Sequence, residues 1–458
     1  MFNARLVRLG LATLGPPAGI ALAAVILALH AALLPEAHWQ ADDFICAAYA
    51  RDFGLGYLWH ARIGGWSPRP LSELLLYGYD RLAAYLLRPL SLPFLALLWS
   101  MLVASCLVTL RRLPGPALGI RILIGLVIAC MFLLGHPVAE MFFWPTAAAA
   151  YVTTLAATSL AFFLLLDGRT SATPGILALS ASLTACAASS ESGAMAAVPL
   201  ALGLAATLPR RRHMLFLAAP PLLVAGFVFW MLTHHRMVST EAVSHAAPLA
   251  HVIQSLRPVP NALLADILPL WPAKLLLVLG LRWCWTLAPR PHPPRQLHAM
   301  GIFAAALIIA ACAVIAASFF QFGTLCCERH DTLRQCWVIL ALAALAIWST
   351  RWPANRTAAK LGPAALTLAC LLGVAPRVGA MIADFRTMPA IIAGTDASWR
   401  DGRRSTSNAM AFRLPPAANL AGAVGIPAGH YTEPAENAWT AHGIMAFFGK
   451  RSITILPP

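Results

Sequence analysis

The sequence predicts an all-α polytopic membrane protein with about eleven transmembrane helices, because its apolar segments have the length that spans a bilayer. Of the 458 residues, 59% are hydrophobic and 11% are charged, which excludes a water-soluble globule. The apolar segments are mostly about 15 to 22 residues long, close to what a helix needs to cross a hydrocarbon core of about 30 Å. They are continuous runs of Leu, Ala, Val and Ile without period-2 alternation, so helices rather than barrel strands are predicted.

The predicted spans follow one another along the chain. The first covers residues 14–34 and has no convincing small-residue cleavage site after it, so it is predicted to be a retained helix. The other ten are predicted at residues 92–110, 122–135, 141–166, 175–188, 194–208, 214–232, 274–287, 299–320, 335–349 and 361–382.

These spans divide the chain into four parts. The parts are residues 1–34, with a cytoplasmic N-terminus and the first helix; residues 35–91, a first external loop; residues 92–382, a ten-helix core; and residues 383–458, a small external C-terminal subdomain. The first loop is too long for a simple connection and is predicted to contain juxtamembrane helices at residues 43–53 and 71–87. The second of these has leucines on one face and Glu73 and Asp80 on the other, which favours a position at the membrane interface.

The residues that give the net charge of +15 lie mostly in the connections between spans, so this charge does not indicate binding to nucleic acid. Every second connection between the predicted spans contains the basic residues, and Asp167 is the one acid in these connections. These basic residues are Arg5, Arg8, Arg111, Arg112, Arg121, Arg169, Arg210, Arg211, Arg212, Arg290, Arg295, Arg351, Arg356 and Lys360. The positive-inside rule therefore predicts a cytoplasmic N-terminus and an external C-terminus, with nearly all of the acids on the external side.

The segment 39–73 is the strongest candidate site. Asp42 and Asp43 follow the first span directly, and a carboxylate pair beside a membrane span indicates a functional site unless it is a solvated loop end. Arg69, fixed between two prolines, is suited to an anionic phosphate substrate. Trp66 belongs to a set of aromatic residues that suit either the headgroup level or a sugar-stacking surface, the first being the commoner role.

Three other external segments each embed charge in apolar sequence. Glu140 begins one predicted helix, Glu191 lies in a Ser/Gly corner without a basic neighbour, and Glu328, Arg329 and Arg334 lie at another helix start. Internal ion pairs or helix caps are the alternative explanation, most plainly for the last segment. In the long loop after residue 233, Arg257 is a further candidate for substrate contact.

No cofactor is identified by the sequence. The histidines of the long loop, His234, His235, His245 and His251, fit no common zinc spacing, so no metal site is predicted, although a divalent cation is left open. There is no Walker loop, no H-E-x-x-H and no C-x-x-C. An oxidising compartment would permit a disulfide between Cys46 of the first external loop and Cys326 or Cys327 of the fifth.

A set of short motifs gives the chain a resemblance to a family. The motifs are D-D-F at 42–44, W-S-P-R-P at 66–70, E-x-F-F-W-P-T-A from 140, E-S-G at 191–193, E-R at 328–329 and N-A-W-x-A-H-G-x-x-A-F-F-G-K-x-S-I from 437. Together they resemble uncharacterised bacterial multipass membrane proteins related to the C-type superfamily of membrane glycosyltransferases.

The resemblance implies an enzyme of the bacterial inner membrane that moves a sugar from a polyprenyl-phosphate donor. The acceptor would be an envelope glycan, lipid or protein on the external face, and basic groups would hold the donor. Asp42 or Asp43 would be the catalytic carboxylate, and Arg69 would contact phosphate. The chain departs from the superfamily in the Ser-Pro before Arg69 and in its small tail. Asp42 is favoured as the base, since Asp43 is also well placed as a helix cap.

Two other functions fit the same residues. In a lipid or small-solute transporter or flippase, Glu140, Glu191 and Asp266 would carry protons or contact substrate. The chain has no internal repeat of its apolar pattern, which disfavours that function because many transporters are built from two repeats. A non-catalytic component of polysaccharide export is the third alternative.

The charge distribution predicts the topology directly. Reporter fusions at Arg211 and at Pro458 should give opposite locations, cytoplasmic for the first and periplasmic for the second. The measurement is paired alkaline phosphatase and green fluorescent protein activity at each site. Fusions that report the same side would rule out the eleven-span arrangement.

Overall fold

A computed structural model describes residues 15–39, 42–108, 116–168, 172–234, 248–286, 293–352, 359–413 and 438–456. Its helices are α1 Pro16–Ala31, α2 Asp42–Gly56, α3 Pro70–Leu86, α4 Ser91–Leu107, α5 Leu118–Met131, α6 Pro145–Leu166, α7 Thr173–Ser189, α8 Glu191–Ala205, α9 Arg211–His234, α10 Pro248–Leu256, α11 Val259–Ile267, α12 Trp271–Thr286, α13 Pro294–Phe322, α14 Glu328–Trp348, α15 Gly362–Val374, α16 Val378–Arg404 and α17 Ala438–Phe448. π-helical segments cover Tyr57–Trp66 and Ala139–Phe143. Two strands, β1 Ala409–Arg413 and β2 Ser452–Leu456, pair in parallel with Ala409 opposite Ser452.

Some of the predicted features lie outside the described residues. These are Arg5, Arg8, Arg111, Arg112, Arg169, His235, His245, Arg290, Arg356 and Asn437, together with the ends of the predicted spans at residues 14, 110 and 287. Each predicted apolar segment otherwise contains a helix.

The protein is helical, with six helical segments long and apolar enough to cross a membrane in the part of the chain that the structure describes. They are Pro16–Glu36, Pro145–Leu166, Arg211–His234, Pro294–Phe322, Glu328–Arg351 and Gly362–Arg404. A seventh span results if 250–267 and α12, which are bent by 73° at a short break, are one broken span. The predicted number of eleven is not confirmed. The helices α4, α5, α7 and α8 are apolar but shorter, and at 1.5 Å per residue the shortest rises only about 21 Å.

Helix α6 lies at the centre of the bundle. Its most apolar window is 89% buried, whereas the corresponding window of α9 is 28% buried. Helices α4, α7 and α14 pack against α6. Small residues on α6, such as Ala147 and Ala148, are fully or nearly fully buried and permit this close approach of neighbouring helices.

The first external loop folds into two helices joined by the π-helical segment, close to the predicted positions. Helix α2 is interrupted at Gly54, whose φ of +58° is a left-handed conformation that glycine tolerates better than other residues. Helix α3 begins with Pro70 at its first position and ends at Leu87, which is also left-handed.

Helix α3 has the predicted division into two faces, but its polar face is turned toward the protein. Glu73 and Asp80 are 2% and 4% exposed, while Leu74 and Leu82 are 55% and 53% exposed. Glu73 and Asp80 lie in the same buried group as the Arg62 guanidinium. The apolar face of the helix has no acid that could contact this guanidinium. The leucines are left facing outward, as expected where lipid is the surrounding solvent.

The C-terminal part packs on the first loop. Helix α16 continues across the predicted boundary at residue 383, and α17 packs against α2. The rings between them form a buried aromatic cluster with edge-to-face contacts. This cluster consists of Trp39, Phe44, Trp399, Phe412, Phe447 and Phe448. The tail therefore gains a core from residues of the first loop, as its short length requires.

The cysteines do not form the bridge that the sequence permitted. Cys326 and Cys327 are bonded to each other. Cys46 is free and buried, with its sulfur near the Arg62 guanidinium. Cys46 is therefore not bridged to Cys326 or Cys327.

The contact between α17 and α2 is close enough to test. A Cβ added at Gly443 would lie 3.1 Å from the backbone nitrogen of Ile45 and 3.3 Å from the Cβ atoms of Ile45 and Phe44. Gly443→Val should therefore push α17 off α2 at a cost of about 1–3 kcal/mol. The measurement is the rate of tryptic cleavage after Arg404. His442→Val introduces the same residue at the neighbouring, exposed position and should leave the cleavage rate unchanged. Equal rates for both variants would contradict the close contact.

Candidate functional site

Most of the charged residues predicted for the site meet at one end of the helical bundle. They come from segments that are far apart in sequence: the start of α2, the turn before α3, the π-helical segment before α6, the start of α8 and the start of α14. The residues brought together are Asp43, Arg69, Glu140, Glu191, Glu328 and Arg329, and Asp42 precedes Asp43 at the start of α2. Helix starts suit acids because their N–H groups carry partial positive charge.

Asp43 is held by the first turn of α6. The Nε1–H of Trp144 donates to Oδ2 of Asp43 at 2.8 Å, and the hydroxyl of Thr146 donates to Oδ1 at 2.5 Å. Trp144 is extended and Pro145 begins the helix, which brings both donors toward α2. Asp43 is fully buried, whereas Asp42 is partly exposed. Asp43 therefore joins α2 to α6, and Asp42 is the more accessible carboxylate.

Glu140 and the start of α14 bind each other from both sides. The backbone N–H and the Nη1 group of Arg329 donate to Oε2 of Glu140 at 3.1 and 3.3 Å. The backbone N–H of Glu140 donates to Oε1 of Glu328 at 3.4 Å. The guanidinium of Arg329 also lies 5.4 Å from the ring centre of Trp144, a cation–π distance. This ion pair is thereby connected to the Asp43 contacts.

Arg69 pairs with Glu191, the acid that has no basic neighbour in sequence. Nε of Arg69 donates to Oε2 of Glu191 at 2.5 Å. Ser190 caps helix α8 by accepting from the N–H of Gly193 at 2.9 Å. A Cβ at Gly193 would lie 2.1 Å from the carbonyl oxygen of Cys186, so glycine permits the close turn between α7 and α8. The E-S-G motif thus sets both the turn and the position of the carboxylate.

His330 joins the two ion pairs, and sequence reasoning assigned it no role. Its Nε2 lies 3.0 Å from the hydroxyl of Tyr151, and its Nδ1 lies 3.2 Å from the hydroxyl of Ser192. The guanidinium of Arg69 lies 5.6 Å from the ring centre of Tyr151. The signal in the sequence is the helical spacing of Tyr151, Thr154 and Thr158 on the mostly apolar α6, which places their polar groups on one face.

Arg334 lies one turn further along α14 and belongs to a second buried group. It donates to both carboxylate oxygens of Asp266, at 2.9 and 3.4 Å, and pairs with Asp331 at 2.8 Å. The Nζ of Lys274 donates to the carbonyl oxygens of Asp266 and Ile267. These contacts connect α14 to the bend between α11 and α12.

Besides Arg334, two predicted site residues lie outside the network. Trp66 is 50% exposed at the end of the first π-helical segment and lines a shallow depression with Met231 and Leu232. Arg257 is exposed in the turn between α10 and α11. Within the described ranges, no three His, Cys, Asp or Glu side chains are arranged to hold a metal ion.

A buried charge cluster between α2 and α3 was also not assigned to the site from the sequence. Arg62 donates to both oxygens of Glu73, at 2.7 and 3.1 Å. Asp80 lies in the same interior, and its Oδ1 has no hydrogen-bond partner among the described residues. Burial, with the negative charge of Asp43, raises the pKa of Asp80 well above its usual range, although Arg62 opposes the shift. The neutral form of the Asp80 carboxyl is therefore favoured up to a higher pH than that of an exposed aspartate.

The comparisons with known proteins identify no relative. The chain matches no protein-family model, no curated protein sequence and no solved structure.

The arrangement offers two kinds of chemistry at one end of the bundle. Asp42 is an accessible carboxylate that can accept a proton. Arg69 uses Nε for Glu191, and its Nη groups have no hydrogen-bond partner within the part of the chain that the structure describes. Those groups remain available to an anionic ligand.

The raised pKa of Asp80 predicts how the stability of the protein depends on pH. An unfolded Asp ionises near pH 4, whereas the folded group stays protonated to higher pH. Its contribution to stability is therefore fully present below about pH 4 and is lost as the pH rises toward the folded pKa. The Asp80→Asn variant does not undergo this loss of stability, because its amide does not ionise. Its melting temperature should exceed that of the wild type by a margin that grows from pH 4 to pH 8, about 1.4 kcal/mol for each unit of pKa shift.

The measurement is thermal unfolding of the detergent-purified protein at pH 4, 6 and 8. Glu73→Gln is the matched amide substitution on the same helix and should have the opposite effect, because it leaves the Arg62 guanidinium buried and unpaired at a cost of about 3–5 kcal/mol. An Asp80→Asn variant less stable than the wild type at pH 8 would show that the carboxyl is ionised.

Proposed function

We propose that the protein is a glycosyltransferase of the bacterial inner membrane that uses a polyprenyl-phosphate-linked sugar as donor. The supporting observation is that Asp43, the chain neighbour of Asp42, joins a network with Arg69 and Arg329, which come from distant parts of the chain. Transfer from a lipid phosphate needs a base for the acceptor hydroxyl and cations for the leaving phosphate, and it needs no nucleotide.

Each residue has a role in this proposal. Asp42 takes the proton of the acceptor hydroxyl as its oxygen attacks the anomeric carbon, and the bond to the lipid phosphate breaks. Arg69 and Arg329 stabilise the phosphate that leaves. Glu191 and Glu140 hold these two guanidinium groups in place before the donor binds. Asp43 fixes the end of α2 on which Asp42 lies.

The proposed topology accompanies this function. The N-terminus is cytoplasmic and the C-terminus periplasmic, with eleven spans made of the six long helices, the broken pair and the four shorter apolar helices. In that arrangement the acid network lies on the periplasmic side, where an envelope glycan, lipid or protein acceptor is present.

A transporter or flippase is the second candidate, and one observation favours it. Asp266, which is buried and paired with Arg334 of α14, lies beside the break between 250–267 and α12. Discontinuous helices with buried charge are typical of transporters. The two functions differ in whether a covalent product is made.

The test is product formation by purified protein in lipid, with a panel of polyprenyl-phosphate sugars and candidate acceptors, read by mass. Asp42→Asn should reduce the rate by about 10²- to 10⁴-fold, the usual cost of removing a general base, while donor binding persists. Asp401→Asn, an exposed acid at the end of α16, is the matched control and should retain full activity.

Two results would contradict the proposal. A fully active Asp42→Asn variant would remove the role given to Asp42. Wild-type protein that moves labelled lipid or solute across the bilayer, and gives no product with any donor and acceptor, would favour the transporter.

A further inference from the structure

A second site lies on the outward side of the helix pair formed by α2 and α3. A groove of about 360 Å³ opens there, lined by Arg51, Arg81, Ala84, Tyr85 and Leu87. Arg51 and Arg81 are exposed, whereas Asp43, Glu73 and Asp80 on the same two helices are buried. The groove is therefore separate from the acid network.

Arg81 gives the groove an unmatched positive charge. Its Nη1 donates to the carbonyl oxygen of Ala50 at 3.2 Å. Among the described residues, no carboxylate lies within ion-pair distance of Arg81, and its other N–H groups have no partner. The guanidinium is thus fixed by one hydrogen bond and retains four N–H donors.

Arg51 is held rigidly at the other side of the groove. Its guanidinium donates to both oxygens of Asp52, at 2.7 and 3.1 Å, and to the carbonyl oxygens of Ala446 and Phe447 at 3.0 and 2.9 Å. The carboxylate of Asp52 neutralises the charge of Arg51, so the net positive charge of the groove comes from Arg81.

Exposed apolar side chains accompany the groove on the same two helices. Tyr85, which lines the groove, is 84% exposed. Phe53 and Leu82, which follow Arg51 and Arg81 closely in the chain, are 64% and 53% exposed, and Leu55 and Leu86 are also exposed. Aromatic and aliphatic side chains around an arginine are typical of the headgroup level of a membrane, where rings lie beside phosphates and acyl chains. A soluble anion would gain nothing from these apolar side chains.

We propose that this groove binds the phosphate group of a bilayer lipid, with Arg81 as its charged donor and Phe53, Leu82 and Tyr85 against the lipid chain. Two lipids carry this chemistry: an anionic phospholipid such as phosphatidylglycerol, and a polyprenyl phosphate. The inference does not depend on the proposed transfer reaction, because the groove contains none of the residues assigned to it.

The test is native mass spectrometry of the full-length protein in detergent, titrated separately with phosphatidylglycerol, phosphatidylcholine, polyprenyl phosphate and inorganic phosphate. Arg81→Gln keeps a donor for Ala50 and removes the charge, so it should weaken binding of the phosphate lipid about tenfold or more, as loss of a charge-assisted hydrogen bond does. Arg88→Gln, an exposed arginine just beyond the C-terminal end of α3, is the matched control and should bind as the wild type does.

The outcomes are separable. Preference for phosphatidylglycerol or for polyprenyl phosphate over phosphatidylcholine, lost in Arg81→Gln alone, supports the site and names the lipid. Equal weakening in Arg88→Gln would reduce the effect to general surface charge and overturn the proposal, as would inorganic phosphate binding as tightly as the lipid.

A measurement on the unchanged protein covers the case in which Arg81→Gln does not fold. A phosphatidylglycerol or polyprenyl phosphate analogue with a photoreactive group beside the phosphate should label peptides that contain residues 49–55 and 81–87. Labelling confined to other peptides would overturn the site. Sugar transfer is read in neither experiment, so failure here is distinguishable from failure of the proposed function.

Discussion

Charges buried in an apolar helical protein must be paired, and this requirement organises one end of the molecule. Leaving one partner of such a pair alone costs about 3–5 kcal/mol, more than most packing contacts can offset. Arg69 finds its carboxylate 122 residues away in Glu191, and Arg329 finds Glu140 across 189 residues. Each pair therefore fixes two helix starts relative to each other. His330, between Tyr151 and Ser192, then holds the two pairs in one network.

The positions of the helices could be predicted because hydrophobicity and chain length are local properties. The special environment of Glu140 and Glu191 could be predicted for a related reason, since a lone carboxylate in apolar sequence must find a partner or a polar cavity. Their partners could not, because an ion pair over more than a hundred residues leaves no local pattern. The orientation of α3 could not be predicted on the same ground: its amphipathic pattern shows two faces, but the buried partner Arg62 determines which face turns inward.

The number of spans was the least predictable feature. Hydropathy counts apolar segments equally, whether they cross a bilayer alone or pair with a neighbour. Helices α7 and α8 are each short, and Ser190 and Gly193 make the tight turn that joins them. The bend after α11 similarly divides one apolar stretch into two pieces around Asp266 and Lys274. In both places the break brings polar groups into the interior.

Helical geometry also decides how the two sites relate. Arg51 follows Asp42 by nine residues on α2, which places it about 13 Å further along the axis with its side chain turned about 180° away. A phosphate bound in the groove beside Arg51 is thus too far from Asp42 to be the leaving group of the proposed reaction. That proposal assigns the leaving phosphate to Arg69 or Arg329, which lie in the acid network with their carboxylate partners. Under it, a lipid in the outer groove is a resident lipid or a donor before it enters the site, and α2 lies between the two positions.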